Sequence, residues 1–383
     1  MDKPTVQDIF HRFYPAYLDQ YSPSPVQAKV AHNIMNCKTG AYGANVCVCE
    51  DCGFVQIHYN SCRNRCCPMC QAVPKEMWMD ARREDVLDAP YFHLVFTVPD
   101  ILNPVIYSNQ RLLYDALYHA ASSTISELTA DPKHLGAKVG YICILHTWGS
   151  EMNFHPHIHT VLLGGGLASN NQWRDNGENF FLPIRVISKV FRGKYLEELK
   201  RLWEEDKLVF HGTAEKFRNH YTFKELLDSC YGMDWIPHCK KTFNGAQTVM
   251  KYLGKYTHRI AVSNHRIVRM DDDTVTFLVK DYRNEGQWKE LTISGVEFVR
   301  RFLMHVPPRR FVRIRHYGLL CSRTKSQKLT LCRNLLGCKK YLSKLRDMEM
   351  PEILEHLYGI KVCVCKACGG RLGKPQMRMP LRC

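Results

Sequence analysis

The segment Phe154-His155-Pro156-His157-Ile158-His159 gathers the most chemically versatile side chains of this 383-residue chain into a short span. On a β-strand alternate residues share a face, so His157 and His159 project together while Ile158 packs behind them. Their Cα atoms then lie roughly 6–7 Å apart, a spacing at which two imidazoles can share one divalent ion. His155 has the same parity, and Pro156 sets the start of the strand. Two half-buried structural histidines would satisfy the same pattern, so its meaning depends on its companions. One companion is Lys251-Tyr252-Leu253-Gly254-Lys255-Tyr256-Thr257-His258-Arg259. On a helix Tyr252 and Tyr256 stand one turn apart on one face. A phenol is a poor nucleophile at its ordinary pKa near 10, but lysines or a metal can activate it for a covalent step. Core packing is the other reason for such a pair.

Cysteine is the second chemical signal. There are 18, eight of them between Cys37 and Cys70 and four between Cys363 and Cys383. A chain of this length is not a small disulfide scaffold, and clusters of this kind in a reducing compartment read as metal sites. Cys49-x2-Cys52 and Cys67-x2-Cys70 are separated by 14 residues, the spacing of a tetrahedral zinc-ribbon site. Cys37, Cys47, Cys62 and Cys66 could form a second site beside it. Cys363, Cys365, Cys368 and Cys383 would form a third, carboxyl-terminal knuckle. Arg63 and Arg65, threaded through the first block, would face phosphate if the module touches DNA. Cys143, Cys230 and Cys239 read as core or surface thiols.

The elements that must position these groups follow from pattern. Val6, Ile9, Phe10, Phe13, Tyr14 and Tyr17 recur at helical spacing, and Pro23 and Pro25 precede a second helical segment, Val26–Met35. Lys75–Asp88 reads as a charged helix leading into Tyr91–Val98, an aromatic and β-branched run that predicts a buried strand. A helix near Pro104–Leu128 follows. Tyr141–Trp148 and His157–Leu163 then predict an antiparallel hairpin with a longer loop. Gly193–Glu205 and Ala246–His258 read as helices, 266–295 as a β meander, and Val296–Met304 as a short helix. Farther on, Arg313 and Arg315 alternate with Val312 and Ile314, as in a strand presenting guanidiniums to phosphate, with Arg309 and Arg310 just before.

Lys plus Arg is 53 against 37 for Asp plus Glu, a net charge of +16. That excess points to a polyanionic partner, of which nucleic acid is the commonest. The absence of a run near 20 apolar residues excludes a membrane-spanning helix. Met1-Asp2-Lys3-Pro4 opens no secretory signal, so the expected compartment is the cytosol.

Taken in order, the cysteine block, the HPHIH strand and the paired tyrosines resemble the rolling-circle transposases of bacterial insertion sequences that carry an HUH nuclease domain, specifically the insertion-sequence-ninety-one family. The resemblance runs through SCRNRCCPMCQ (61–71), YFHLVFTVPDIL (91–102), HTWGSEMNFHPHIH (146–159), FLPIRVISKVFRGKY (181–195), YLGKYTHRIAVSNHR (252–266) and VPPRRFVRIRHYGLL (306–320). It implies an α+β fold with a central antiparallel sheet, flanking helices and small zinc-binding modules. It implies that His157 and His159 hold Mg²⁺ or Mn²⁺, and that Tyr252 and Tyr256 form 5′-phosphotyrosine links to single-stranded DNA. Lys251 and Lys255 would contact that DNA, and structural Zn²⁺ would hold the cysteine modules. Single-stranded DNA, element-end hairpins and a host helicase are the implied partners, since the chain has no GxxxxGK[ST] motif of its own. His146 and Glu151 both remain candidates for the third metal ligand. Where many relatives place His within the cysteine block this chain has Cys66, and Asn45 with a nearby Cys47, which fits a cysteine-only second site.

The expected organisation is a helical segment over 1–36 and a zinc-binding domain over 37–88. The catalytic domain is expected over 89–265, with an inserted helical region near 167–245. A β-rich basic extension covers 266–320 and a basic region with the last knuckle 321–383. The competing functional readings are a plasmid rolling-circle replication initiator and a non-catalytic zinc-ribbon regulator. Conjugative relaxases fit less well, because there the tyrosine usually precedes the histidines.

Overall fold

The computed structural model describes residues 3–175, 182–235, 237–243, 254, 261–281 and 284–378. The first helix, α1 (Val6–Leu18), starts at a capping box in which Thr5 and Asp8 satisfy each other's backbone N–H groups. Ser24 and Gln27 do the same for α2 (Pro25–Met35), with Pro25 in the first turn. Strands β1 (Ala44–Val48) and β2 (Val55–Tyr59) and helix α3 (Ala72–Arg83) follow.

Next come β3 (Tyr91–Thr97), α4 (Asn103–Ser108), α5 (Gln110–Ala130), β4 (Lys138–Trp148), β5 (Phe154–Leu167), β6 (Trp173–Asp175), α6 (Ile184–Glu204), α7 (His220–Gly232) and β7 (His238–Phe243). The expected single helix over 104–128 is broken at Asn109. Its side chain leaves the helical pattern to bond both the N–H and the carbonyl of Val209. The carboxyl-terminal part contributes β8 (Ile267–Met270), β9 (Thr274–Asp281), β10 (Gln287–Ser294), helix Gly295–Met304, β11 (Ile314–Gly318), helices Lys325–Leu336 and Met350–Tyr358, and β12 (Gln376–Arg378).

The main sheet runs β11-β4-β5-β3-β7, antiparallel at each step, with β6 on the side of β5. Alternation along its strands divides two cores. Phe92, Leu94, Phe96, Ile158 and Leu162 face α5, α6 and α7. Tyr91, Ile142, Ile144, Val161 and Leu163 face the other way, toward α3 and helix Lys325–Leu336. A third core joins α1 and α2 to the β10-β9-β8 sheet and helix Gly295–Met304.

Two strands of the main sheet lie outside the runs expected to form it, although β11 continues the strand expected around Arg313 and Arg315. β7 lies in the stretch taken as a helical insertion, and β11 lies in the basic extension, yet they form the two edges of the sheet. The meander over 266–295 is present as β8, β9 and β10. The carboxyl-terminal strand β12 pairs with β1 in a small sheet, so the last described residues return to the amino-terminal cysteine block. Among the described residues no helix is long and apolar enough to cross a membrane.

Candidate functional site

The β4–β5 hairpin builds the histidine site. In its register His146 stands opposite His157 and Ile144 opposite His159, with an irregularity between His146 and Trp148. His157 and His159 therefore share one face with His146, as the parity of HxH requires. The hairpin's turn is anchored from the second half of the chain. Arg266 donates to the Ser150 carbonyl at 2.6 Å, Arg301 to that of Glu151 at 2.9 Å, and His305 Nε2 to that of Met152 at 2.9 Å.

His146, His157 and His159 bring their ligand atoms within 4.8 Å of one another, and all three rings are buried. His146 stacks on Trp148 with ring centres 4.5 Å apart. His157 Nδ1 donates to the His155 carbonyl at 2.7 Å, which fixes the proton there and leaves Nε2 as a lone pair. His159 turns its Nδ1 to His93 Nε2 at 3.0 Å, and its Nε2 lies 3.1 Å from that of His157. Metal–nitrogen bonds of about 2.1 Å with cis ligands put two nitrogens about 3 Å apart, so this pair fits a shared ion. Burial, with the neighbouring His155, pushes the His157 pKa down to about 4, so the ring is neutral as a ligand must be. Of the two candidates for the third position, His146 joins the cluster. Glu151 instead accepts from Asn153 at 3.3 Å in the turn.

His93 was not anticipated. Its only sequence signal is its parity in YFHLVFT, where it falls among the residues of β3 that share the histidine face.

The cysteines group differently from the spacing-based expectation. Cys67 and Cys70 do not meet Cys49 and Cys52; they gather with Cys37 and Cys62. The cause is the fold. Cys37 closes α2, Cys62 follows β2, and Cys67 and Cys70 lie in the loop before α3, so all four converge on the core beneath α1 and α2. Cys62 and Cys70 Sγ are 3.8 Å apart, and the Cys62 and Cys67 thiols hold Cys70 well below the ordinary thiol range. Tetrahedral Zn–S bonds of about 2.3 Å give sulfur–sulfur edges of about 3.8 Å, so the donor set fits zinc. Cys47 and Cys66, expected in a second site, join neither cluster; burial pushes both thiols up. The expected third site also dissolves. Cys365 and Cys368 meet Cys49 and Cys52, Cys363 stays apart, and Cys383 lies outside the described residues.

The arginines divide too. Arg63, Arg309 and Arg310 are exposed. Arg65 also donates to the carbonyls of Phe311 and Pro308, tying the cysteine block to the loop before β11. Arg315 pairs with Asp115 and lies over the Tyr118 ring at 4.0 Å. Lys251, Tyr252, Lys255 and Tyr256 lie outside the described residues. Gly254, between the tyrosines, is helical, and a side chain there would collide with Met79 of α3.

Comparison with known proteins places these features in a wider context. The family described as "Putative transposase" matches residues 140–328, and that described as "Transposase zinc-binding domain" matches residues 9–98. The chain is 40% identical over 369 residues to "Putative transposase y4qJ" of Sinorhizobium fredii, covering 95% of this chain and 93% of that protein. It is 30% identical over 364 residues to the transposase for insertion sequence element IS801 of Pseudomonas savastanoi pv. phaseolicola, covering 91% and 83%. Among solved structures it is similar to the conjugative relaxase TrwC in complex with oriT DNA. The metal-free form has 14% identity and a TM-score of 0.25, covering 43% of this chain and 71% of that one. A metal-bound form has 15% identity and the same score, covering 44% and 73%.

Proposed function

The chain belongs to the IS91 family of insertion-sequence transposases, and from that premise we propose that it nicks and rejoins single-stranded DNA at element ends through tyrosine links. The observation that carries the chemistry is the pair of Nε2 atoms of His157 and His159, 3.1 Å apart, with His146 beside them. A divalent ion on these three imidazoles would act as a Lewis acid on a phosphoryl oxygen. The histidines hold their lone pairs inward because their other nitrogens are committed, His157 to a carbonyl and His159 to His93.

In this reading Tyr252 or Tyr256 is the nucleophile. Its phenol loses a proton, the oxygen forms a bond to phosphorus, and the bond from phosphorus to the 3′ oxygen breaks. The product is a 5′-phosphotyrosine and a free 3′-hydroxyl, and the ester keeps the energy needed for rejoining. The second tyrosine would take a second strand while the first stays esterified. Gly254 supports the placement: it rests on α3, which packs on the sheet face that bears the histidines. Arg63, Arg309, Arg310 and Arg313, with Lys251 and Lys255, would guide the strand by charge.

The test is a single-stranded end oligonucleotide labelled at its 3′ end, incubated with protein and Mn²⁺. A covalent adduct that survives denaturation is expected. It should vanish in the Tyr252→Phe/Tyr256→Phe double variant with the circular dichroism spectrum unchanged. Persistence of the adduct in that variant would refute the assignment.

A further inference from the structure

We propose that Cys49, Cys52, Cys365 and Cys368 form a second zinc site, built from both ends of the chain, that clasps the carboxyl-terminal segment onto the amino-terminal zinc-binding domain. This goes beyond the strand-transfer reading and does not rest on it. The family's zinc-binding domain matches only residues 9–98, so half of this ligand set lies outside it.

The two halves are the same device. Cys49-Glu50-Asp51-Cys52-Gly53 and Cys365-Lys366-Ala367-Cys368-Gly369 are both CxxCG turns. In each, the glycine takes a left-handed conformation, with φ of 70° at Gly53 and 77° at Gly369. In each, the glycine N–H returns to the first cysteine's carbonyl, at 3.1 Å for Gly53 and 3.0 Å for Gly369. The Ala367 and Gly370 amides point at the sulfurs of Cys365 and Cys368, both at 3.4 Å, as donors that stabilise thiolates.

The sulfurs meet across the two turns. Cys49 Sγ lies 3.5 Å from that of Cys368, and Cys52 Sγ 3.8 Å from that of Cys365. These are close to the edges of about 3.8 Å that a ZnS₄ tetrahedron requires. The backbone around them is already joined. Glu50 N–H donates to the Arg371 carbonyl at 3.0 Å, Gly373 N–H to that of Val48 at 2.8 Å, and β12 extends the β1–β2 sheet. Among the described residues, only Cys47, Cys49, Cys365 and Leu372 form the buried apolar cluster here. So small a core needs a metal to hold it together.

Protein purified in reductant without added metal should carry two zinc ions per chain by elemental analysis. The Cys365→Ser/Cys368→Ser variant should carry one. The same zinc content in the folded wild-type protein and in the variant would overturn the proposal, whatever the histidine cluster retains. A measurement on the wild-type protein covers the case in which the variant fails to fold. Cys52, Cys368, Cys321 and Cys363 are all exposed. Under pulse alkylation with N-ethylmaleimide, Cys321 and Cys363 should react at once, whereas Cys52 and Cys368 should be protected at least tenfold until a chelator is added. Equal rates for all four before chelation would equally overturn it.

Discussion

His93 Nε2 stands 3.0 Å from His159 Nδ1, so a ring that itself lies outside the metal-ligand cluster sets the orientation of one inside it. Such outer partners fix the ligand's tautomer and typically govern metal affinity by 10–100-fold. Replacing His93 by Phe removes the partner and keeps the ring's bulk. Mn²⁺ affinity, measured by calorimetry, should fall by about that factor. His93→Gln, which can still hydrogen-bond Nδ1, should recover most of it. Equal affinities in wild type and His93→Phe would show that the contact is only packing.

Removing the ligands themselves separates chemistry from affinity. His157→Ala/His159→Ala should abolish nicking while leaving the dissociation constant for single-stranded DNA within about threefold, because affinity comes mainly from Lys and Arg. Wild-type nicking by the double variant would sink the metal assignment.

Among the described residues the cluster is three imidazoles with no carboxylate, a donor set that suits transition ions better than Mg²⁺. Nicking should therefore reach half-maximal rate at a Mn²⁺ concentration at least about tenfold below that for Mg²⁺. The opposite order in a metal titration would mean that oxygen ligands dominate the site.

How much of this was legible in the chain depends on which contacts are local. The parity of His157-Ile158-His159 is a property of any strand and needed no fold. The choice between His146 and Glu151 needed the hairpin register, which an irregularity beside Trp148 shifts by one residue. The cysteine grouping departs from nearest spacing because turns far apart in the chain converge in the fold. The useful signal was the glycine after Cys52 and after Cys368, absent after Cys70, where Gln71 stands. Of Arg313 and Arg315 only Arg315 lies in β11, and it turns to Asp115 and Tyr118 on α5 rather than outward. β7, with the sequence HCKKTF, is a polar edge strand, and edge strands carry little of the apolar alternation that reveals a strand.

Cys67→Ser tests the buried cysteine cluster. Cys37 and Cys67 are fully buried in the core shared with α1, α2 and helix Gly295–Met304. Loss of zinc there should cost on the order of 4 kcal/mol or more and release one zinc per chain. A variant that melts within a few degrees of wild type with its zinc content unchanged would exclude Cys67 as a ligand.

The last expectation concerns acid. His305 is buried behind the hairpin, with Thr147 Oγ1 3.1 Å from its Nδ1 and its Nε2 donating to Met152. Burial lowers its pKa to about 4, against the carbonyl that favours the charged form and with Arg300 and Arg301 adding to the depression. In the unfolded chain the same ring titrates near 6.5. Between those values the unfolded state takes up a proton that the folded state refuses, so stability falls as pH drops through this window. The contribution is complete above about pH 6.5 and lost progressively toward pH 4, amounting to about 3 kcal/mol. Zinc thiolates also protonate in acid, so the wild-type profile alone does not isolate this ring. His305→Gln keeps a donor for Met152 but cannot be protonated. Its urea-unfolding free energy should therefore lie below wild type at pH 7.5 and close the gap by pH 4.5. Parallel profiles for the two proteins would show that His305 does not couple protons to folding.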